Sequence, residues 1–251
     1  MALAGEGAGD QRGIPPDAYD ATLTRVAAHY HDVDTPTVRT LLAAARKHGW
    51  RRGEYLIREG APVDRLMHVL DGTAKISEWG ADGNEAIVGF PGAGTTFGLI
   101  CVTACDTPIY SASAVTAVNA VVIPGPVVRR LMAESPSFAS HLARELAGWL
   151  RKVELERRGM VDKDVTIRVL RRLVELLDGW GVPHGDHVDI DLPLTQAELS
   201  SWAAVSREST TRVLHRLRRD GILTTSRCGL AILDVDALRD RFERRRLELH
   251  Q

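Results

Sequence analysis

The chain has 251 residues, of which 44% are hydrophobic and 26% charged, and its formal net charge is −1. These values are typical of a globular protein with one large or two modest domains. No stretch offers the ~20 uninterrupted apolar residues of a membrane span. The cysteines are too few for a disulfide framework, and Met1–Gly13 lacks the basic start and apolar core of a signal peptide. We therefore expect a cytoplasmic protein without a membrane partner.

The N-terminal region is predicted to be a disordered leader followed by two helices. Residues 1–16 are rich in glycine and alanine, which is typical of a disordered segment. Helices are expected over Ala18–His31 and Thr37–His48. Thr35 would cap the second helix, and Pro36 would lie in its first turn.

Short strands broken by turns follow, from Trp50 to Ile123. The alternating runs are Glu54–Arg58, Leu66–Leu70, Thr73–Trp79 and Ala86–Phe90. Asp71-Gly72 and Asp82-Gly83 separate such runs, as turns do in hairpins. The spacing of these runs predicts a β-sandwich or barrel.

A single-domain cupin enzyme is the rival interpretation of such a β-region. Cupins hold a metal with clustered histidines and a carboxylate. In the strand pattern here His68 stands alone, and a satisfied, partly buried strand histidine is the ordinary expectation. The sequence therefore predicts neither a metal site nor catalytic residues.

A long helix is predicted next. Gly125-Pro126 opens a helical region that continues after Pro136 to about Met160. Apolar residues recur along it at spacings of four and three, which forms a heptad seam. The seam residues are Leu142, Leu146, Trp149, Val153 and Met160. The seam fits a helix that pairs in a dimer or one that packs on its own β-region, and both alternatives remain open at this point.

The C-terminal third contains a helix-turn-helix pattern. Gly159–Asp164 is the expected hinge, with Asp164 capping a helix over Val165–Leu177, a loop over Gly179–His187 and a strand over Val188–Leu194. Thr195 and Glu198 then form a capping box, and Ser206 can cap a second helix that runs to Arg219. After it, two wing strands over Leu223–Ser226 and Leu230–Leu233 would flank Arg227, and Val235–Leu249 reads as a terminal helix.

The helix after Ser206 has two different sides. Thr210, Val213, Leu214 and Leu217 share one side, and the opposite side carries Arg207, Glu208, Thr211, Arg212, His215 and Arg218. A charged side is usually just solvated. Here the capping box, the turn and the N-terminal Arg-Glu pair together favour a recognition helix, which reads bases in the major groove with its first residues.

Ser206–Val213, SRESTTRV, resembles the S-R-E-(S/T)-x-x-R-(V/I) signature of the cAMP receptor protein (CRP/FNR) family of bacterial regulators. The resemblance implies an α+β fold with an N-terminal cyclic-nucleotide-binding-like β-roll (jelly roll), a long central dimerisation helix and a C-terminal winged helix-turn-helix. The expected boundaries are 17–134, 135–163 and 164–251. At Ala204 the chain departs from the glycine that the family's turn often has; a left-handed Ala would cost roughly 1–2 kcal/mol.

The family's functional residues can be carried over by position. The resemblance implies a homodimer on double-stranded DNA, with Arg207, Glu208 and Arg212 contacting bases of a TGTGA-like palindrome. Contacts to the DNA backbone, or support for them, would come from Thr195, Ser206, Thr211, His215 and Arg227. An activator would also touch RNA polymerase, but no motif decides that role.

The family's cAMP cassette, F-G-E-L followed by an Arg-Ser or Arg-Thr pair, is degenerate here. Leu99 stands where the ribose-binding Glu is expected, and no Arg occurs between Arg65 and Arg129. Because a buried phosphate needs a positive partner, cAMP binding in the usual mode is not expected, and no cofactor is assigned. A more apolar effector pocket would be lined by Phe97, Gly98, Leu99, Ile109, Tyr110, Ser111 and Val153.

Control of this regulator remains open at this stage. A different small molecule could bind the pocket, or a thiol switch at Cys101 and Cys105 could respond to redox state. Three cysteines, with Cys228 distant from the other two, do not supply the four ligands of an iron–sulfur cluster. DNA binding could also be constitutive. The alternative of another class is a β-roll ligand-binding module or enzyme with an incidental helical tail.

Overall fold

The computed structural model describes residues 19–80, 83–103, 107–161, 164–225 and 229–248, with side chains left out at 19–23, 156 and 158–161. The chain forms two compact units. One comprises Met1–Glu78 and Val88–Arg151, and the other comprises Trp79–Ile87 and Lys152–Gln251. The predicted leader, residues 1–16, lies outside the described residues.

The N-terminal elements build a β-roll with helices at both ends. In chain order they are α1 (Tyr19–His29), α2 (Thr35–Ala44), β1 (Arg46–Trp50), β2 (Tyr55–Ile57), β3 (Arg65–Asp71), β4 (Ala74–Trp79), β5 (Glu85–Gly89), β6 (Thr96–Phe97), α3 (Leu99–Thr103), β7 (Ser111–Ala114), β8 (Val118–Pro124), α4 (Gly125–Glu134) and α5 (Pro136–Val161). Two four-stranded sheets form, in the orders β1-β8-β3-β6 and β2-β7-β4-β5. This arrangement confirms the predicted β-roll.

Two cores stabilise the roll, and strand β3 contributes to both. Leu66 and Leu70 join an outer core that also contains apolar side chains of α1 to α5. Met67 and Val69 point the other way, into an inner core between the two sheets. Successive side chains of a strand alternate between its faces, so a strand buried on both faces is mostly apolar, and the polar exception within the buried part of β3 is His68.

The structure corrects two predictions in the N-terminal region. The helix expected over Thr37–His48 ends at Ala44, and Arg46–Trp50 instead forms β1, which pairs antiparallel with β8. The ladder partner lies far along the chain, so local periodicity gave no sign of it. The cap of α2 is Asp34, whose side chain accepts a hydrogen bond of 2.9 Å from the backbone N–H of Thr37, and not Thr35.

The C-terminal elements form a helix-turn-helix beside a small sheet. They are α6 (Val165–Trp180), β9 (Gly181–His184), β10 (His187–Ile190), α7 (Gln196–Trp202), α8 (Arg207–Arg219), β11 (Leu223–Thr225), β12 (Leu230–Ile232) and α9 (Val235–Glu248). The sheet order is β11-β12-β10-β9. The loop prediction for Gly179–His187 was therefore wrong, because β9 pairs with β10 in a hairpin. The two wing strands, β11 and β12, belong to the same sheet, since β12 pairs with β10.

Caps and ion pairs fix the first and last helices of this unit. Asp164 caps α6 as predicted, accepting hydrogen bonds from the backbone N–H groups of Thr166 and Ile167. The same carboxylate accepts a hydrogen bond of 2.9 Å from Arg245 Nε of α9, which packs against α6.

Among the described helices, none combines the length and the apolar character needed to cross a bilayer.

Candidate nucleic-acid interface

The predicted capping box is present at the start of α7. The Thr195 hydroxyl accepts a hydrogen bond of 3.1 Å from the Glu198 N–H, and the Glu198 carboxylate accepts one of 2.9 Å from the Thr195 N–H. Ser206 caps α8 in the same way, accepting from the Ser209 N–H at 3.2 Å. Both caps satisfy backbone donors that a helix start leaves unpaired, so they fix where α7 and α8 begin.

The turn between the two helices passes through a left-handed residue. Ala204 has a φ of +52°, and it is the one non-glycine residue with positive φ in the described part of the chain. Backbone hydrogen bonds hold the turn, from the Ala204 N–H to Ser201 at 3.0 Å and from the Val205 N–H to Ser200 at 2.9 Å. The family's frequent glycine at this position is thus explained by backbone geometry, which Ala204 adopts with strain.

Helix α8 is buried on one side and exposed on the other, as predicted. Thr210, Val213, Leu214 and Leu217 are buried. The residues predicted for the opposite side of the helix are all exposed: Arg207, Glu208, Thr211, Arg212, His215 and Arg218. The structure thus presents the predicted side chains to solvent together on one face.

The residues predicted to contact bases differ in how firmly the protein holds their side chains. Within the described residues, the side chains of Arg207 and Glu208 make no hydrogen bond or ion pair, whereas one Arg212 nitrogen donates to the Ser209 hydroxyl at 2.9 Å. The Thr211 hydroxyl donates to the Arg207 carbonyl at 2.8 Å. Two charged groups at the helix start are consequently available for a partner. Arg227 of the wing lies outside the described residues.

The sequence did not identify one supporting arginine, Arg172, and did not predict the contact that a second one, Arg218, makes. Arg172 of α6 is 3% exposed; its Nε donates to the Trp202 carbonyl at 3.2 Å, and its guanidinium lies 4.7 Å from the Trp202 ring centroid. Arg218 donates to the Thr225 hydroxyl at 3.0 Å, which links α8 to the wing. No local pattern marks Arg172, because its partner is a carbonyl thirty residues later.

The residues of the predicted effector pocket do not gather in one place. Phe97 and Tyr110 meet in the inner core with Cys101, whereas Leu99 belongs to the outer core and Ile109 is 73% exposed. Burial, followed by the nearby Cys101, raises the pKa of Tyr110 to about 12.

Two of the remaining pocket positions, Gly98 and Ser111, serve the backbone of the roll, and the third, Val153, lies on α5. Gly98 has a φ of +82°, and a Cβ there would lie 2.2 Å from the Arg65 carbonyl oxygen, so a side chain is excluded. The Ser111 hydroxyl accepts from the Glu59 N–H at 3.2 Å. Val153 is half-buried on α5.

The heptad seam of α5 is divided between burial and exposure. Leu142 is 1% exposed in the outer core and Leu146 packs against that core, so the roll itself covers the start of the seam. Trp149 remains 43% exposed, with Leu150 at 55% beside it. The Met160 side chain lies outside the described residues.

His68 is not isolated in three dimensions, contrary to the sequence prediction. Its ring centroid lies 4.2 Å from that of His29, which in turn lies 5.2 Å from that of His141. Burial, followed by the charge of His29, lowers the pKa of His68 to about 4, so its ring is neutral at neutral pH. The three histidines come from α1, β3 and α5, and no sequence spacing could group them.

Comparisons with known protein families agree with this architecture. The family model described as the Crp-like helix-turn-helix domain matches residues 167–241, and the model of the cyclic nucleotide-binding domain matches residues 47–135. The CRP-like cAMP-activated global transcriptional regulator of Mycobacterium tuberculosis is 27% identical over 219 residues, covering 87% of this chain and 97% of that protein. The global nitrogen regulator of Synechococcus elongatus is 23% identical over 195 residues, covering 77% and 88%.

Solved structures share the same fold. FixK2 from Bradyrhizobium japonicum superposes with a TM-score of 0.67 at 21% identity, covering 80% of this chain and 96% of that one. The c-di-GMP responsive global regulator CLP of Xanthomonas campestris superposes with a TM-score of 0.68 at 22% identity, covering 79% and 99%. At these identities the likeness establishes the fold alone.

Proposed function

Since this chain belongs to the CRP/FNR family of DNA-binding transcription regulators, we propose that it binds a TGTGA-like palindrome as a homodimer through helix α8. The observation that carries the proposal is the exposed start of α8, where Arg207 and Glu208 stand without a partner among the described residues. Recognition helices contact base edges with their N-terminal residues.

The chemistry of the three proposed base contacts fits a half-site of this kind. Arg207 and Arg212 can each donate two hydrogen bonds to O6 and N7 of a guanine, and Glu208 can accept one from N4 of a cytosine. The buried side of α8 holds the helix against the domain, so the exposed side keeps a fixed orientation. Thr195 and Ser206 act as helix caps, and Thr211 and His215 lie next to the reading residues, where phosphate contacts set the register.

Selection of bound sequences from random double-stranded DNA tests the half-site directly. The proposal predicts enrichment of two inverted TGTGA-like half-sites, with centres separated by about 10–10.5 base pairs or a multiple of that. Recovery of an unrelated sequence, or of single half-sites without symmetry, would contradict it.

Dimerisation is proposed through the exposed part of α5. Trp149, Leu150 and Val153 fall on one side of the helix, and large exposed apolar side chains are typical of interaction surfaces. We expect Trp149→Glu to shift the protein from dimer to monomer in sedimentation equilibrium. Leu247→Glu, at an exposed apolar residue of α9, is the matched control and is expected to leave the dimer intact. If Trp149→Glu still sediments as a dimer, the proposal that α5 forms the dimer interface is contradicted.

We propose that cAMP in the usual mode is not the effector. Leu99 replaces the family's ribose-binding Glu and is buried in the outer core, and no Arg stands between Arg65 and Arg129 to pair with a cyclic phosphate. The relatives differ in the nucleotide to which they respond, since one is described as cAMP-activated and another as c-di-GMP responsive. Calorimetric titration with cAMP is expected to give no binding heat at micromolar protein; a saturable isotherm would overturn this part of the proposal.

A further inference from the structure

Three helix residues of the N-terminal unit bring imidazole and carboxylate groups together beside the β-roll. His29 ends α1, while His141 and Glu145 lie one turn apart on the same face of α5. One ligand atom from each residue lies within 4.8 Å of the other two. His29 Nε2 and Glu145 Oε1 are 2.7 Å apart. His29 is far along the chain from the two α5 residues, so the fold creates the cluster.

Two atoms of this cluster are buried and lack a hydrogen-bond partner within the described part of the chain. They are His141 Nε2 and Glu145 Oε2. The His141 side chain is 8% exposed, so bulk solvent is largely excluded from it. A buried polar atom without a partner destabilises a fold, so each such atom calls for an explanation, and a bound ion is one. The contact between His29 Nε2 and Glu145 Oε1 satisfies neither atom.

The opposite side of the His141 ring is fixed by a carboxylate. His141 Nδ1 lies 2.6 Å from Asp32 Oδ1, and Arg144 donates to the other Asp32 oxygen. With Nδ1 donating to Asp32, the lone pair of the neutral ring is on Nε2, the buried atom without a partner. A carboxylate that orients an imidazole in this way is the usual second neighbour of a metal-binding histidine.

We propose that His29, His141 and Glu145 bind one divalent transition-metal ion, and that Zn²⁺ is a suitable occupant. Two imidazoles and one carboxylate are a typical ligand set for zinc with one open position. Metal–ligand bonds of about 2.0–2.2 Å put tetrahedral ligand atoms roughly 3.3–3.6 Å apart, so small side-chain rotations complete the set. Magnesium and calcium need oxygen-rich shells that these residues do not supply.

A cleft gives ions a route to the site. A cavity of about 380 Å³ lies beside the cluster, and its lining includes Arg25, His29, His68 and Gly94. His29, one of the proposed ligands, lines this cavity itself, so an ion that enters the cavity reaches the site. A bound ion would join α1 to α5, the helix assigned to dimerisation, and it would use none of the residues predicted for an effector pocket. The proposal is independent of the DNA sequence that α8 reads.

Cobalt is the probe that tests the site, because its visible spectrum reports ligand type and geometry. The full chain, stripped with EDTA and desalted, is titrated with Co²⁺ and then with Zn²⁺ as competitor. We expect one Co²⁺ per chain, visible bands of a four- or five-coordinate site, no sulfur-to-cobalt charge-transfer band, and displacement by Zn²⁺. At a hundredfold excess over Kd, Zn²⁺ should raise the Tm by about 5–10 °C.

Variants separate this site from adventitious binding. Glu145→Gln and His29→Gln preserve side-chain size and are expected to weaken Zn²⁺ binding at least about 100-fold, and Asp32→Asn about 10- to 100-fold. His31→Gln, at an exposed histidine two residues from His29, is the control and should bind as the wild type does. Circular dichroism verifies that each variant is folded. Three results would each overturn the proposal. They are a wild-type protein that does not bind Co²⁺ stoichiometrically, the appearance of a sulfur-to-cobalt charge-transfer band, and an unchanged affinity in Glu145→Gln and His29→Gln.

Discussion

Replacing Ala204 with glycine should stabilise the C-terminal unit. At a φ of +52°, the alanine side chain costs about 1–2 kcal/mol that glycine avoids. Glycine loses about 0.5–1 kcal/mol more backbone entropy on folding, which offsets part of the gain. The Ala204 methyl group is exposed, so its removal sacrifices little apolar contact. The net expectation for Ala204→Gly is a gain of about 0.5–1 kcal/mol.

The neighbouring residue provides a control of opposite sign. Ala203 has a right-handed φ of −78° and is 2% exposed, so Ala203→Gly relieves no strain and removes a buried methyl group. We expect it to destabilise by about 1–2 kcal/mol. Thermal melts followed by tryptophan fluorescence should show Tm rising by about 1–4 °C for Ala204→Gly and falling for Ala203→Gly. If both variants melt earlier by similar amounts, the turn is not strained at Ala204 and the reasoning fails.

Two further substitutions test the caps of the same unit. Thr195→Ala removes the hydroxyl that accepts from the Glu198 N–H and should lower the free energy of unfolding by about 1 kcal/mol in urea titrations; an unchanged midpoint would contradict the role of the capping box. Burial of Asp164 alone would raise its pKa, but hydrogen bonds from Arg245 and the helix N–H groups hold that pKa below its usual value. Because the folded pKa is depressed, this stabilisation is present above the unfolded pKa of about 3.9 and is lost as pH falls through the folded value. The stability difference between wild type and Asp164→Asn should accordingly be largest near neutral pH and vanish in strong acid, and a difference that persists there would contradict the assignment.

The helix-turn-helix was predictable because its determinants are local. Thr195 and Glu198 are three residues apart, Ser206 directly precedes its helix, and the apolar side of α8 repeats with the helical period. Each of these signals is contained within a few turns of chain. The predicted bounds of α8 consequently agree with the structure, and so do its buried and exposed sides.

Several features that the sequence did not reveal depend on distant partners, whereas the missed hairpin of β9 and β10 is local. Arg46–Trp50 continues a helical pattern and becomes a strand only because β8 is available to pair with it. Burial of Leu99 in the outer core depends on the packing of several helices against the roll. His29, His68 and His141 are each unremarkable in their own segments, and only the fold brings their rings together. For the proposed metal ligands, the i, i+4 spacing of His141 and Glu145 was the one local sign in the sequence.

The central claim, that the start of α8 reads bases, is tested most directly by fluorescence anisotropy at fixed salt. Wild type, Arg207→Ala and the control Arg219→Ala are each titrated onto a TGTGA-type palindrome and a scrambled duplex. Arg219 lies in the last turn of α8, away from the proposed reading residues. We predict that Arg207→Ala loses about 1–3 kcal/mol on the palindrome and little on the scrambled duplex, while Arg219→Ala keeps the wild-type preference. Equal losses by Arg207→Ala on both duplexes, or a wild type without preference, would contradict base reading by α8.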